Sequence, residues 1–517
     1  MSASALSPEP QAGWWTKPAL LIAVILLAGA PLWWPGIPPL TDLPGHMGRY
    51  AVQLDGGNSA DLARWYHFEW RWIGNLGVDL LVQILGPTLG VEAATKLVAI
   101  AIPMLTVAGF LAVAREVHGR VPPTAFFALP LAYGAPFFWG FVNFTLSMAL
   151  AFLAFALWLR LARLGHIRLR FLMFIPLSLL LWTAHIYGWA AFCVLAASAE
   201  IVRQTATQRP WYAMVGHTAL TCLCLAPPLV LMVAQFGDGG SGGQPYGWHW
   251  FDFTRKATWV VGVLRDRWQF FDQASLVVLL GVLALGRQQL NLRLARPTGL
   301  PLILATGLFA LLFLLLPHAA LGSAYADMRL LPYVFATALL AIGPVTRRAG
   351  LVAFGALSFF GMRMVGNGWS AFLYDQSYQA ELAALRHLPH GARLVTFVGR
   401  PCREPWAVHR LDHLPSLALV RRRAFANDQW QAAGAQLISV RYHDAVGFQS
   451  DPSQFVRKAA CPRPDWRSYP AALAQFPRDA FDYVWIIQQP EAVADMAGLE
   501  PVWQRGRSAL YRVVRTK

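Results

Sequence analysis

TDLPGHMGRY, residues 41–50, follows the first long apolar run of the chain and sets an acid, a histidine and an arginine between Asp42 and Arg49. Pro44 suits the first turn of a helix, where its missing N–H costs no hydrogen bond. A helix opening there carries His46, Arg49 and Gln53 at spacings of three and four, on adjoining parts of one face, with Asp42 near the cap. The stretch therefore reads as a polar face set where a membrane span ends.

The rest of the composition supports that setting. Of 517 residues, 56% are apolar and 14% charged, and the chain reads as a polytopic α-helical membrane protein rather than a soluble globule. The net charge of +16 falls mostly in short arginine clusters between apolar runs, which is how cytoplasmic loops look, so nucleic acid is not the expected partner. Apolar stretches at 18–36, 94–114, 123–138, 144–161, 171–184, 187–201, 211–233, 270–285, 299–316, 330–342 and 350–364 predict about eleven spans. The first is read as retained, with Trp14 and Trp15 as interfacial anchors.

Orientation follows from the loops. With a cytoplasmic N-terminus, the inside positions hold Lys17; Arg115 and Arg120; Arg163, Arg168 and Arg170; Arg203 and Arg209; Arg287, Arg293 and Arg296; and Arg347 and Arg348. Only Glu116 and Glu200 offset them, a consistent positive-inside bias. An odd span count then puts everything after Met364 outside. The expected division is a membrane domain, 1–365, with an outer first loop at 37–74, and a periplasmic α/β domain, 366–517. Strands are predicted at 393–398, 436–441, 483–488 and 509–514, and helices at 375–388 and 470–475. Cys402 and Cys461 lie in this domain, either as a disulfide or as two unpaired cysteines.

Polar chemistry gathers in the outer segments. Residues 75–85 read as a helix along the membrane, interrupted by Asp79. GDGGSGGQPYG, residues 237–247, has the composition of a mobile lid. Asp42 is placed either to act as a general base or, with Thr41, simply to cap a helix. His46 suits phosphate binding, proton relay or metal ligation, and Arg49 suits pairing with phosphate or with Asp42. His185 and Tyr187 sit at an outside turn, as functional groups or as hydrogen-bonded interface residues. Asp327 with Arg329, and Asp266 between Arg265 and Arg267, read either as local ion pairs or as phosphate sites. No Walker A loop, HExxH or CxxC is present, and no predicted span carries an acid at its middle, which counts against ion-coupled transport.

A cytoplasmic N-terminus, one span, a long outer loop with an early aspartate in TDLPGH, an amphipathic segment, paired short spans around His185 and an outer α/β domain together resemble the GT-C superfamily of integral-membrane glycosyltransferases. The resemblance implies Asp42 as the catalytic base and a sugar on polyprenyl phosphate as donor. The acceptor is then an envelope glycan, lipid or protein at the outer face of a bacterial inner membrane. Arg329 or Arg267 become phosphate-binding candidates by location. Many members place a second acid beside the first-loop aspartate or in the next outer loop, where a divalent metal bridges to phosphate. Here Leu43 follows Asp42 and residues 138–143 hold no acid, which leaves a metal open and a site built on arginines as the alternative. A flippase for a lipid-linked glycan and a non-catalytic member of an envelope-biosynthesis complex are the rival readings.

Overall fold

The computed structural model describes residues 13–237, 250–287, 298–320, 323–345, 348–431, 436–493 and 496–515. Residues 238–247 of the stretch read as a lid lie outside them, as do Arg293, Arg296 and Arg347.

Among the described residues, six helices are long and apolar enough to cross a membrane: Val91–His118, Val142–Arg163, Ile167–Ala184, Ile186–Thr205, Gln269–Gly286 and Ala349–His387. A bent pair, Trp211–Leu225 with Pro227–Val233, makes a seventh if it is one broken span. The chain is a multi-pass membrane protein. Four shorter apolar helices accompany these, at Pro18–Leu32, Gly77–Leu89, Leu300–Leu315 and Met328–Leu340. The apolar stretch at 123–138 departs from its expected α-helical form. It is a buried 3₁₀ segment, Pro123–Tyr133, followed by a single turn, Ala135–Phe138. Pro122, Pro123, Pro130 and Pro136 remove donors and clash with preceding carbonyls, so an uninterrupted α-helix cannot form there.

The helices that build and flank the polar cluster begin with α1 (Pro18–Gly29), α2 (Leu43–Asp55), α3 (Gly77–Leu89) and α4 (Val91–His118). They continue with α5 (Val142–Arg163), α6 (Ile167–Ala184), α7 (Ile186–Thr205) and α8 (Ala349–Leu382). α3 realises the expected amphipathic segment. It turns Asp79 inward, fully buried, and leaves Leu80, Leu81, Ile84 and Leu89 exposed. At the basic ends of these helices the two acids are paired: Glu116 with Arg163 at 2.8 Å, and Glu200 with Arg170 at 2.7 Å and Arg203 at 2.5 Å.

After α8 and one 3₁₀ turn the chain forms a six-stranded sheet from β1 (Leu394–Gly399), β2 (Phe455–Arg457), β3 (Arg467–Ser468), β4 (Tyr483–Ile487), β5 (Leu499–Arg505) and β6 (Ser508–Val513). Its order is β3-β2-β1-β4-β6-β5, with β1 parallel to β2 and β4. β1 is buried throughout, as a central parallel strand must be. The strand expected at 436–441 exists as Ile438–Val440, yet it does not join this sheet. It pairs antiparallel with Tyr66–Phe68 of the first loop. Cys402 and Cys461 form a disulfide.

Candidate active site

Asp42 is held from the backbone. The amides of Thr41 and Asp42 donate to the carbonyls of Phe138 and Trp139, at 3.1 and 3.0 Å. Gly140 makes that approach possible, because it sits at φ +88° and a Cβ there would lie 2.6 Å from the Asp42 amide nitrogen. Asp42 stands at the N-cap of α2, but its side chain makes no capping hydrogen bond. The carboxylate is thus free of the capping duty the sequence offered as an alternative.

The carboxy-terminal domain closes over α2. Gln429 Nε2 donates to the Gly45 carbonyl at 3.1 Å and to Ser416 Oγ at 2.6 Å. Thr41 Oγ1 donates to the His409 carbonyl at 3.1 Å, and Arg410 to the Pro39 carbonyl at 2.6 Å. Glycines on one face of α2 permit this contact. A Cβ on Gly45 would meet the Trp430 ring at 2.4 Å, and one on Gly48 would meet Gln429 Nε2 at 2.7 Å. Gly45→Ala is therefore expected to destabilise the chain by about 1–3 kcal/mol through overpacking. Thermal unfolding of the detergent-solubilised protein measures it, and a midpoint equal to wild type would refute the close packing.

Charges of both signs surround Asp42. His413 faces it, with Nε2 3.9 Å from Oδ1. Burial pushes the Asp42 carboxyl up to about 7; His413 and Arg329 oppose the rise, while Asp412 and Asp451 add to it. Burial alone would lower His413, but Asp451, Asp42, Asp428 and Asp412 more than offset it and raise the imidazole above its ordinary value. The Asp42 side chain keeps 24% of its exposure, enough to be touched from outside the protein.

Of the residues singled out in the sequence, Arg329 acts on Asp42 by charge, and Tyr187 and His185 gather around Arg329. Arg329 is buried, donates to Ser323 Oγ at 2.8 Å and the Ala324 carbonyl at 2.7 Å, and lies over the rings of Phe141, Tyr187 and Phe144 at 4.6, 5.2 and 5.7 Å. His185 accepts from the Tyr187 amide at 3.1 Å, so it caps α7, and its ring lies 5.8 Å from that of Phe144. The other residues have different partners. Asp327 pairs with Lys256 at 3.2 Å rather than with Arg329, because Arg329 is turned to the Ser323–Ala324 backbone turn. Arg49 pairs with buried Asp79, which also accepts from Asn143 at 3.0 Å; its charge is spent on joining α2 to α3 and is not turned to Asp42. His46 lies 3.2 Å from Arg49 and packs edge-on to Trp430, and burial holds it well below the usual imidazole range. Arg265 donates to the Trp406 and Pro405 carbonyls, Asp266 pairs with Arg410, and Arg267 stacks over Tyr374 at 4.7 Å.

Sequence reasoning missed the acids and histidine of the carboxy-terminal domain. The signal was present in WAVHRLDHLPS, residues 406–416, where His409, Asp412 and His413 crowd a short stretch. Among the described residues, no group of three His, Cys, Asp or Glu side chains is arranged to hold a metal ion.

Neither a family model nor a curated protein matches the sequence. The structure is similar to the apo crystal structure of ArnT from Cupriavidus metallidurans, with 13% identity, 96% of this chain and 97% of that chain covered, and a TM-score of 0.50. It is also similar to the crystal structure of ArnT from Cupriavidus metallidurans bound to undecaprenyl phosphate, with 12% identity, the same coverage and a TM-score of 0.51. ArnT is a GT-C glycosyltransferase. The chain has an ArnT-like fold. In it the first loop and the carboxy-terminal sheet region meet beside Asp42, and the likeness extends through both.

Proposed function

We propose that this chain is a membrane glycosyltransferase that moves a sugar from a polyprenyl-phosphate donor to an envelope acceptor on the periplasmic face, with Asp42 as general base. The observation that carries the reading is the Asp42 carboxylate itself. It does not serve as a helix cap, and it is partly buried, poised near neutral pH and within the field of the Arg329 guanidinium. A base with a pKa near the working pH is the one best matched to taking a proton from a hydroxyl or amine. The GT-C fold over nearly the whole chain, in a relative solved with undecaprenyl phosphate, supports the donor class.

In the proposed step Asp42 removes the acceptor proton as the acceptor oxygen or nitrogen attacks the anomeric carbon. The bond from that carbon to the phosphate oxygen breaks, and the polyprenyl phosphate leaves with the electron pair. Arg329 faces the charge that grows on the departing phosphate. Tyr187, which donates to the Ala320 carbonyl at 3.0 Å, and His185 set the wall behind Arg329. The same reading places the chain in a bacterial inner membrane with a cytoplasmic N-terminus, residues 1–365 as the membrane domain and 366–517 as the periplasmic domain. Pro18–Leu32, Leu300–Leu315 and Met328–Leu340, with the 3₁₀ segment and without the amphipathic Gly77–Leu89, complete the odd number of crossings that the arginine pattern requires.

Mass spectrometry of envelope glycans and glycolipids, from cells with and without this protein, tests the function. The expected result is a species lighter by one sugar residue when the protein is absent. The same loss with lipid-linked donor trapped on the cytoplasmic side would favour a flippase instead, and an unchanged glycan profile would refute the reading.

A further inference from the structure

Resting on that reading, the geometry points to His413 as a positioning residue through which the carboxy-terminal domain controls the base: its imidazolium, aimed at Asp42 from across the domain boundary, keeps Asp42 ionised and ready to accept a proton.

The ring is oriented. His413 Nδ1 lies 3.0 Å from the Asp428 carbonyl oxygen, a contact that a protonated Nδ1 makes as donor. Gln454 Nε2 also lies 3.2 Å from Nδ1, so that edge of the ring is held on two sides and Nε2 is the nitrogen turned to Asp42 Oδ1, 3.9 Å away. The ring cannot swing aside, being buried and packed on Trp430 at 4.6 Å between centroids and on Phe455 at 6.2 Å. Trp430 in turn fills the hollow left by Gly45 on the helix that Asp42 heads.

The charge environment gives the histidine its task. Asp412, Asp428 and Asp451 face His413 from the carboxy-terminal domain and Asp42 faces it from the first loop, so the imidazolium is favoured. His46 on α2 also feels it. Asp42 is faced by Asp412 and Asp451, which oppose its ionisation, and by His413 and Arg329, which favour it. Burial pushes Asp428 up to about 7 and raises Asp451 as well. With burial first and Asp412 and Asp451 beside it favouring the neutral form, an uncompensated Asp42 would hold its proton and fail as a base. His413 is the stronger of the two compensating cations, and it is supplied by a residue more than 350 positions later in the chain.

The test is a titration of the Asp42 carboxyl in the full-length chain in ester-free detergent micelles. The readout is the protonated-carboxyl infrared band, taken as the difference between each protein and the same protein carrying Asp42→Asn. In His413→Gln, and independently in His413→Asn, the Asp42 midpoint is expected at least about one pH unit above wild type, a tenfold loss of ionised base below it. His413→Asn retains an amide donor for the Asp428 carbonyl, which separates charge from architecture. An unchanged or lowered midpoint in a chain that elutes as a single folded species overturns the proposal. Coupling is reciprocal, so the wild-type fold supplies a second measurement. With ¹⁵N-histidine NMR, Asp42→Asn is expected to lower the His413 midpoint by a similar amount, and no shift there also overturns it. Neither readout depends on transfer, so a fully active Asp42→Asn enzyme would remove Asp42 as the base of the proposed reaction while the titration still decides whether His413 holds its charge.

Discussion

Replacing Asp42 with Asn lowers sugar transfer by about 10²–10⁴-fold, the range that a positioned general base contributes. The fold is expected to survive. The Asp42 side chain makes no capping hydrogen bond, the helix start is held by backbone bonds to Phe138 and Trp139, and Asn is close to Asp in shape. The wild-type pH profile carries the same information with a sign. A base works when ionised, so transfer should fall about tenfold per pH unit below an apparent midpoint near 7 and level off above it. Asp42→Asn should lack that acid limb. Product formation in membrane fractions across roughly pH 5.5–8.5, a range that brackets the midpoint, measures both effects. Wild-type product from a folded Asp42→Asn chain would remove Asp42 from the mechanism.

Arg410→Met is expected to cost about 3–5 kcal/mol of stability, the penalty for leaving one member of a buried ion pair uncompensated. Arg410 is 2% exposed, pairs with Asp266, donates to the Pro39 carbonyl and lies over the rings of Tyr374 and Phe138 at 4.1 and 4.7 Å. It thus ties the segment that bears Asp412 and His413 to the mouth of the bundle. Burial pushes the Asp266 carboxyl up, and Arg410 is its main opposing charge. Adding Asp266→Asn should therefore recover much of the loss, since the stranded charge is gone. Thermal unfolding of the two variants in detergent decides it. Equal midpoints for Arg410→Met and wild type would show that the pair is not structural.

Local features were legible in the sequence, and partnerships were not. Hydropathy located the long helices, and short apolar, β-branched runs located β1, β4 and β6, because each depends on its own residues. TDLPGH carried Asp42 to the right place because a proline and a following polar face mark a helix start wherever it occurs. Apolar content alone misjudges the proline-rich 123–138 stretch, because it leaves out the donors that proline removes. Arg49 had a visible acid seven residues away in Asp42, yet it pairs with Asp79 on another helix. His413, Trp430 and Gln429 could not be assigned to the Asp42 neighbourhood at all. Nothing local to them records that Gly45 and Gly48 leave room for them on α2.

The strand pair of Tyr66–Phe68 with Ile438–Val440 has a bearing on biosynthesis. His67 and its partner Ser439 are 372 residues apart. At about 5–20 residues per second of synthesis, the first loop waits roughly 20–75 s for its match. A ribosome that stalls before residue 413 leaves a nascent chain that carries Asp42 without His413. On the roles proposed above, synthesis through His413 is the step that readies the carboxylate, and a copy cut short before it lacks the facing charge.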